Sequence, residues 1–143
     1  EQAVEYFLDR GIGAVVVTEG SRNIRLASRG GLFAPLPSQS LPVCLEVNRE
    51  LAEPPERRGD TTGCGDNFAG GLLANMAEQL AAAGASRRSA LDLREACVWA
   101  VASGGFACFT VGGTYYEERP GEKRERLLPY VDAYRRPLAA EGL

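Results

Sequence analysis

Residues 60–71 read DTTGCGDNFAGG and lead directly into an apolar, helix-like run that ends at Gly84. Glycines 63 and 65 flank Cys64. Glycine tolerates left-handed backbone angles and lets other atoms approach closely. Successive amides in such a turn can converge on an anion, and a helix starting behind them adds free N–H groups and the positive end of its dipole. The stretch therefore asks for a tight turn feeding a helix, and an oxyanion or phosphate fits that turn without a lysine. The plainer reading is an N-cap and turn in which Asp60 or Thr61 bonds neighbouring N–H groups. On the residues alone both readings stay open.

Asp66 bears on the choice. A carboxylate beside a phosphate cradle is electrostatically unfavourable unless it has a task there. One such task is to accept the proton of a hydroxyl that attacks phosphorus. Two other glycine motifs fail on residues. A Walker-type loop needs Gly-Lys-Ser/Thr, but Lys123 is the only lysine in the chain. The dinucleotide fingerprint GxGxxG would need glycine at position 68, which is Phe68. A dinucleotide-dependent oxidoreductase is therefore a poor reading.

The absence of histidine removes more chemistry than any other count. Ser-His-Asp and Cys-His catalysis and histidine-based metal hydrolysis are all excluded from this chain. The four cysteines, Cys44, Cys64, Cys97 and Cys108, form no CxxC pair, so a zinc site is not expected and reduced thiols are. The 143 residues suit one domain, and 45% hydrophobic content is enough for a core. A net charge of -3 with no basic run argues against nucleic acid or an anionic membrane as partner. With no bilayer-length apolar run and no secretory leader, a cytoplasmic location is the expectation. The chain opens at Glu1 without Met and reads as a piece of a longer protein.

EQAVEYFLDRG spaces Ala3, Val4, Phe7 and Leu8 as a helix closed by Gly11. AVVVTEG is a short, continuous, β-branched run, the pattern of a buried parallel strand. NIRLASRGGLFAPL predicts a hairpin turning around Arg29–Gly31, LPVCLEV a further strand, and NRELAEPPERRG an exposed loop. The helix after the glycine turn presents Phe68, Leu72, Leu73, Met76 and Leu80 on one face. RRSA is a linker, and LDLREACVWAVASGGFACF is a helix opened by Asp92 and Glu95 in the manner of a capping box. Within it Trp99 reads as core, and Cys97 and Cys108 read as buried apolar fillers. A turn-rich loop and a terminal amphipathic helix with Pro129 near its start follow. The order suggests the later part of a layered α/β fold whose first strands are absent.

DTTGCGDNF resembles the C-terminal signature of the ribokinase-like, PfkB-type carbohydrate kinases, D-T-x-G-A-G-D-x-F. It matches at Asp60, Thr61, Gly63, Gly65, Asp66 and Phe68 and departs at Cys64, where the pattern has alanine. Thr18 and Gly20 are similar to the family's Thr-x-Gly strand end, and ACVWAVASGGFACFTVGG to its small-residue helix and loop. The resemblance implies the C-terminal part of a three-layer α/β/α fold, with the N-terminal half and lid absent. It implies ATP-dependent phosphorylation of a sugar or sugar-like alcohol, with Mg²⁺. Asp66 would be the base, and Gly63, Cys64, Gly65 and Asp66 the amide anion hole. Thr18 and Gly20, with Ser103 and Gly104, would line the nucleotide. A monovalent cation such as K⁺ would involve Asp60, Thr62 and the loop from Cys108 to Gly113. The glycine-rich N-terminal signature and an Asn-x-x-Glu segment are missing, since NREL at Asn48 has Leu51 where glutamate would stand. The partners implied are the sugar and ATP, and a homodimer is an open expectation. The alternative is a nucleotide- or phosphate-binding module without activity of its own.

Overall fold

The computed structural model describes residues 2–53, 59–84 and 90–140. In chain order it contains α1 (Gln2–Leu8), β1 (Ala14–Val17), β2 (Ile24–Ser28), β3 (Leu36–Leu41), α2 (Leu45–Ala52), α3 (Cys64–Ala83), α4 (Leu93–Phe106) and α5 (Glu122–Ala140). Short 3₁₀ turns occupy Ala107–Phe109 and Val111–Gly113. These elements form two compact units. One gathers the chain up to Val43 with Asn75–Ala96; the other gathers Cys44–Ala74 with the chain from Cys97 onward.

The first unit is built on a three-stranded sheet in the order β1-β2-β3. Both pairings are antiparallel, from Ala14↔Ser28 to Val17↔Arg25 and from Ile24↔Leu41 to Ser28↔Leu36. The parallel strand expected of AVVV is therefore corrected, because β1 takes β2 as an antiparallel neighbour. The expected burial is corrected too. Only Val15 of β1 is buried, since β1 is an edge strand among the described residues. A continuous apolar run fits an edge strand as well as a central one, and periodicity does not separate the two. β2 is the central strand and buries Ile24, Leu26, Ala27 and Ser28. Val4 and Leu8 of α1 join Val15 and Ala27 in one apolar cluster. Gly11, at φ 86°, ends the turn after α1 as its sequence position suggests.

The hairpin is present, but its second strand begins at Leu36, beyond the Arg29–Gly31 turn. Phe33 instead makes a single parallel bridge to Leu91. LPVCLEV is not a strand: β3 ends at Leu41 and Leu45 opens α2, which continues through the first residues of the expected NRELAEPPERRG loop. Residues 45–52 place Val47 on an apolar face with charged residues around it, a helical pattern that the preceding VC pair hides. The Pro-Pro stretch at 54–58 and most of the RRSA linker, including Arg87 and Arg88, lie outside the described residues.

α3 closes at Gly84, with φ 61°. Its expected apolar face is only partly the packed one: Leu73 is 60% and Leu80 45% exposed. The inward face runs instead through Phe68, Gly71, Leu72, Asn75, Met76 and Gln79, the i, i+3, i+4 stripe shifted toward small and polar residues. The polar members have partners. Gln79 Nε2 donates to Asn75 Oδ1 at 2.7 Å and to the Asp92 carbonyl at 2.9 Å, while Gln79 Oε1 accepts the Asp92 N–H at 2.6 Å. Asp92 caps α4 by accepting the Glu95 N–H at 3.0 Å. Gln79 thus supplies an acceptor for the Asp92 N–H, the group that a capping box bonds in return.

The second unit packs α2, the start of α3, most of α4 and α5. Phe106 is ringed by Phe109, Tyr115 and Tyr130 at centroid distances of 5.4–6.0 Å. Trp99 is buried, as expected of a core residue, with the Arg124 guanidinium 4.7 Å over its ring. Cys97 is fully buried, but Cys108 is only half-buried, which corrects its reading as a core filler. No helix among the described residues is long and apolar enough to cross a membrane.

α5 starts before Pro129, at Glu122, because its first turn is held by carboxylates. Glu117 Oε1 accepts the Lys123 N–H at 2.7 Å. Glu122 accepts the Tyr115 hydroxyl at 2.6 Å, the Glu118 N–H at 2.8 Å and the Arg126 side chain at 3.1 Å. The Tyr115 hydroxyl first, then the Glu118 amide and Arg126, hold the Glu122 carboxyl down at about 2. A carboxyl depressed in the folded state binds its proton more weakly than in the unfolded chain. Its contribution to stability is therefore complete above the ordinary glutamate range and is lost as pH falls through that range toward about 2. Glu122→Gln should lower the melting temperature at neutral pH and flatten its decline between about pH 4.5 and pH 2. Melting curves followed by circular dichroism across that window check this, and an unchanged acid limb in the variant would contradict it.

Candidate functional site

The glycine turn is held by main-chain contacts and by two polar side chains. The Gly59 N–H donates to the Cys108 carbonyl at 2.8 Å and the Asp60 N–H to the Thr110 carbonyl at 3.1 Å. Two contacts there admit only glycine. A β-carbon on Gly59 would lie 2.0 Å from the Thr110 carbonyl oxygen, and one on Gly113 would lie 2.3 Å from the Thr62 carbonyl oxygen. Gly63 and Gly113 also have left-handed φ values of 72° and 70°. The 59–63 segment and the 110–113 turn are thus packed main chain against main chain.

Asp60 is spent on this junction. Its Oδ1 accepts the Thr62 N–H at 2.8 Å and its Oδ2 the Gly112 N–H at 3.1 Å. These bonds, Gly112 first, hold the Asp60 carboxyl below its usual range. The plain reading of Asp60 as a turn cap is therefore met, with Gly112 as a second donor from across the junction.

Asn67 is the side chain that ties the arrangement together. Its Nδ2 donates to the Gly63 carbonyl at 2.9 Å and to the Gly113 carbonyl at 2.7 Å, and its Oδ1 accepts from Lys123 Nζ. One amide group thus holds the turn, the 3₁₀ segment and the start of α5. Partial burial lowers the Lys123 pKa.

Gly63 precedes α3, and the Asn67 N–H closes the first helical bond to its carbonyl at 2.8 Å. A helix start leaves its first amides without acceptors inside the helix. The Cys64 N–H turns back to the Thr61 carbonyl at 3.3 Å. The Gly65 and Asp66 amides have no backbone acceptor among the described contacts, and they stand at the positive end of a 20-residue helix. Asp66 is in the first helical turn with its side chain exposed, where the dipole favours a negative charge. This geometry offers an anion the amides of a left-handed glycine turn and leaves one carboxylate free beside them.

Ser103 and Gly104 have a packing role in α4. A β-carbon on Gly71 would lie 2.7 Å from Ser103 Cβ and 2.8 Å from the Trp99 carbonyl oxygen. One on Gly104 would lie 3.1 Å from the Cys64 carbonyl oxygen and 3.2 Å from Phe68 Cβ. Small residues on both helices let the first turns of α3 approach α4. Thr18 and Gly20 belong to the first unit, exposed beyond the end of β1, with Gly20 at φ 59°. Glu19 between them pairs with Arg22 at 2.9 Å on the exposed loop.

The structure thus gathers Asp60, Thr62, Gly63, Cys64, Gly65, Asp66, Ser103 and Gly104 in one unit and leaves Thr18 and Gly20 in the other. Neither of the open depressions found on the second unit, one along Glu118–Arg126 and one at Glu46, Phe106 and Tyr130, is lined by a signature residue. Among the described residues no group of three His, Cys, Asp or Glu side chains could hold a metal ion. Sequence reasoning missed Gly59, Asn67 and Lys123, and placed Gly113 only at the end of a loop near a cation. Asn67 falls at the variable position of the signature, and Lys123 is 56 residues away in sequence, so no local pattern selects either.

The cysteine in the turn has a neighbour. Cys64 Sγ lies 3.3 Å from Cys108 Sγ. Burial first, then Cys108, push the Cys64 thiol up to about 11, so it stays protonated at neutral pH.

The glycine contacts separate two kinds of substitution. Gly112 has φ 76° but open space around its would-be β-carbon, whereas Gly113 has φ 70° and a backbone oxygen 2.3 Å away. Gly112→Ala should cost about 1–2 kcal/mol of left-handed strain, and Gly113→Ala about 3 kcal/mol or more because main chain must also move. Denaturant unfolding of the two variants decides, and equal losses would show that the junction is looser than these contacts require.

The family model for pfkB family carbohydrate kinases matches residues 1–119. No curated protein matches the chain. The matched span contains the sheet, the glycine turn, α3 and α4, and it ends just before α5. A match over that much of the chain, with the turn at Asp60–Phe68 inside it, establishes that this protein belongs to the pfkB family of carbohydrate kinases.

Proposed function

We propose that this chain carries the phosphate-binding turn and catalytic base of an ATP-dependent kinase acting on a hydroxyl of a sugar or sugar-like substrate. The family supports sugar phosphotransfer at that general level, with a sugar and ATP as substrates. The observation that carries the finer reading is the pairing of unspent Gly65 and Asp66 amides with an exposed Asp66 carboxylate at one helix start.

The residues fit a phosphate. The left-handed Gly63 aims the chain into α3, and no side chain from Gly63 or Gly65 obstructs the amides. Bound ATP, with Mg²⁺, would supply the transferable phosphoryl group and neutralise its charge. In this reading Gly63, Cys64, Gly65 and Asp66 form the anion hole; the Gly65 and Asp66 N–H dipoles stabilise charge developing on the phosphoryl oxygens, and the Cys64 N–H would have to leave the Thr61 carbonyl to join them. The Asp66 carboxylate orients the acceptor hydroxyl and takes its proton. Asn67 and Asp60 do no chemistry; they hold the turn. Gly104 supports the hole from behind by letting α4 close on Cys64 and Phe68, and Ser103 packs against Gly71 one turn on. A monovalent cation near Asp60 and Thr62 remains part of the proposal, and it would have to share Asp60 oxygens that already accept two N–H bonds.

The decisive variant is Asp66→Asn in the complete protein. It keeps the size and the helix start but removes the proton acceptor. Phosphotransfer should fall by about 10²–10⁴, the usual worth of a general base. Nucleotide affinity measured by titration should stay near that of the parent. A coupled ADP-release assay across a sugar panel gives the rates, and undiminished turnover would remove Asp66 from the role of base.

A further inference from the structure

The family pattern has alanine where this chain has Cys64, and the structure places a second thiol against it. Cys64 Sγ and Cys108 Sγ are 3.3 Å apart, 44 residues apart in sequence and both half-buried. A disulfide requires the sulfurs to close by only about 1 Å more. The backbone holds the two segments together: the Cys108 carbonyl accepts the Gly59 N–H at 2.8 Å, in the stretch that leads to Cys64 at the start of α3. The other cysteines, Cys44 and Cys97, are buried at 3% and 0% exposure.

We propose that Cys64 and Cys108 are a modification site, a dithiol that closes to an intramolecular disulfide under mild oxidation and fastens the glycine turn to the 107–113 segment. The oxidant is a small disulfide of the glutathione class. One protein thiol gives up its proton as its sulfur attacks a sulfur of the oxidant, forming a mixed disulfide and releasing one thiol. The second protein thiol then gives up its proton as its sulfur attacks the protein sulfur of that mixed disulfide, forming the Cys64–Cys108 bond and releasing the other thiol. The protein pair loses two electrons and two protons, and the oxidant gains both. A dithiol reductant reverses the reaction. The bond links the first residue of α3 to the turn that Asn67 and Asp60 already clamp, so it restricts a region whose main chain is preset.

That this restriction touches phosphate binding rests on the function proposed above; formation of the bond does not. The chain is equilibrated with oxidised glutathione and the free thiols are capped. The protein is digested and its peptides mapped by mass spectrometry, with Cys64→Ala and Cys108→Ala as controls. The expected result is a cross-linked peptide pair holding Cys64 and Cys108, loss of two hydrogens from the intact mass, and both remaining cysteines uncross-linked. Each control should show no intramolecular link. The oxidised parent should melt at a higher temperature than the reduced one, and reduction should reverse the shift. Four free thiols, stable glutathione adducts at 64 or 108 without a link, or links that involve Cys44 or Cys97 would each overturn the proposal. Titration of ATP into both forms is a separate readout. Absence of binding in both would count against the kinase reading and leave the mapped bond standing.

Discussion

The second unit depends on a close approach between two pieces of main chain. Thr62 and Gly63 meet Gly113, and Gly59 meets Thr110, at distances that leave no room for a β-carbon on Gly59 or Gly113. A contact of this kind crowds main-chain polar groups together, and those that face protein need a partner there. The partners are supplied locally: Cys108 and Thr110 carbonyls for the 59–60 amides, both Asp60 oxygens for the Thr62 and Gly112 amides, and the Asn67 amide for the Gly63 and Gly113 carbonyls. Once these bonds are made, the direction in which α3 leaves the turn is set, and with it the direction of its first free amides.

The same economy of side chains recurs one step along. Gly71 and Gly104 remove bulk where α3 approaches α4, at a propensity cost of about 1 kcal/mol per helical glycine relative to alanine. Three glycines in the first two turns of α3, at 65, 70 and 71, make a poor isolated helix. Tertiary contact must offset that cost, and Ala100, Ser103 and the Trp99 carbonyl of α4 provide it against Gly71. A helix start that is weak by itself but fixed by its neighbours suits an anion site. Its amides are aimed by packing rather than by the anion, so little reorganisation is needed on binding.

The sequence made parts of this legible and hid others for physical reasons. The turn and the helices α1, α3 and α4 were readable because glycine punctuation and 3.6-residue spacing are local signals. Asp92 as a cap was readable for the same reason; Gln79 as its counterpart was not, because that bond joins two helices. The pairing direction of β1 was misread, since an apolar run carries no information about its neighbour. α2 was misread as a strand and loop because Val43 and Cys44 extend its short apolar pattern backward. On α3, leucine was weighted over glycine, asparagine and glutamine, and so Leu73 and Leu80 were placed inward. The residues of the candidate site that follow the signature are legible; Asn67 and Lys123, which hold the turn, are not, because their spacing is set by the fold.

The two carboxylates of the turn now separate by their bonding. The sequence reads Asp66 as a base and leaves Asp60 between turn cap and cation ligand. Asp60 has each oxygen on an N–H group and a carboxyl held in its charged form by those bonds, which makes it a poor proton acceptor. A group so stabilised as an anion gains little by taking a proton, and moving it would undo the junction with Gly112. Asp66 is exposed in the first turn of α3, and the helix start leaves its carboxylate free to meet a hydroxyl. The chemistry proposed for the turn needs one carboxylate that builds and one that reacts. A single acid could not serve both purposes, because the bonds that fix the turn are the same bonds that would quench its basicity.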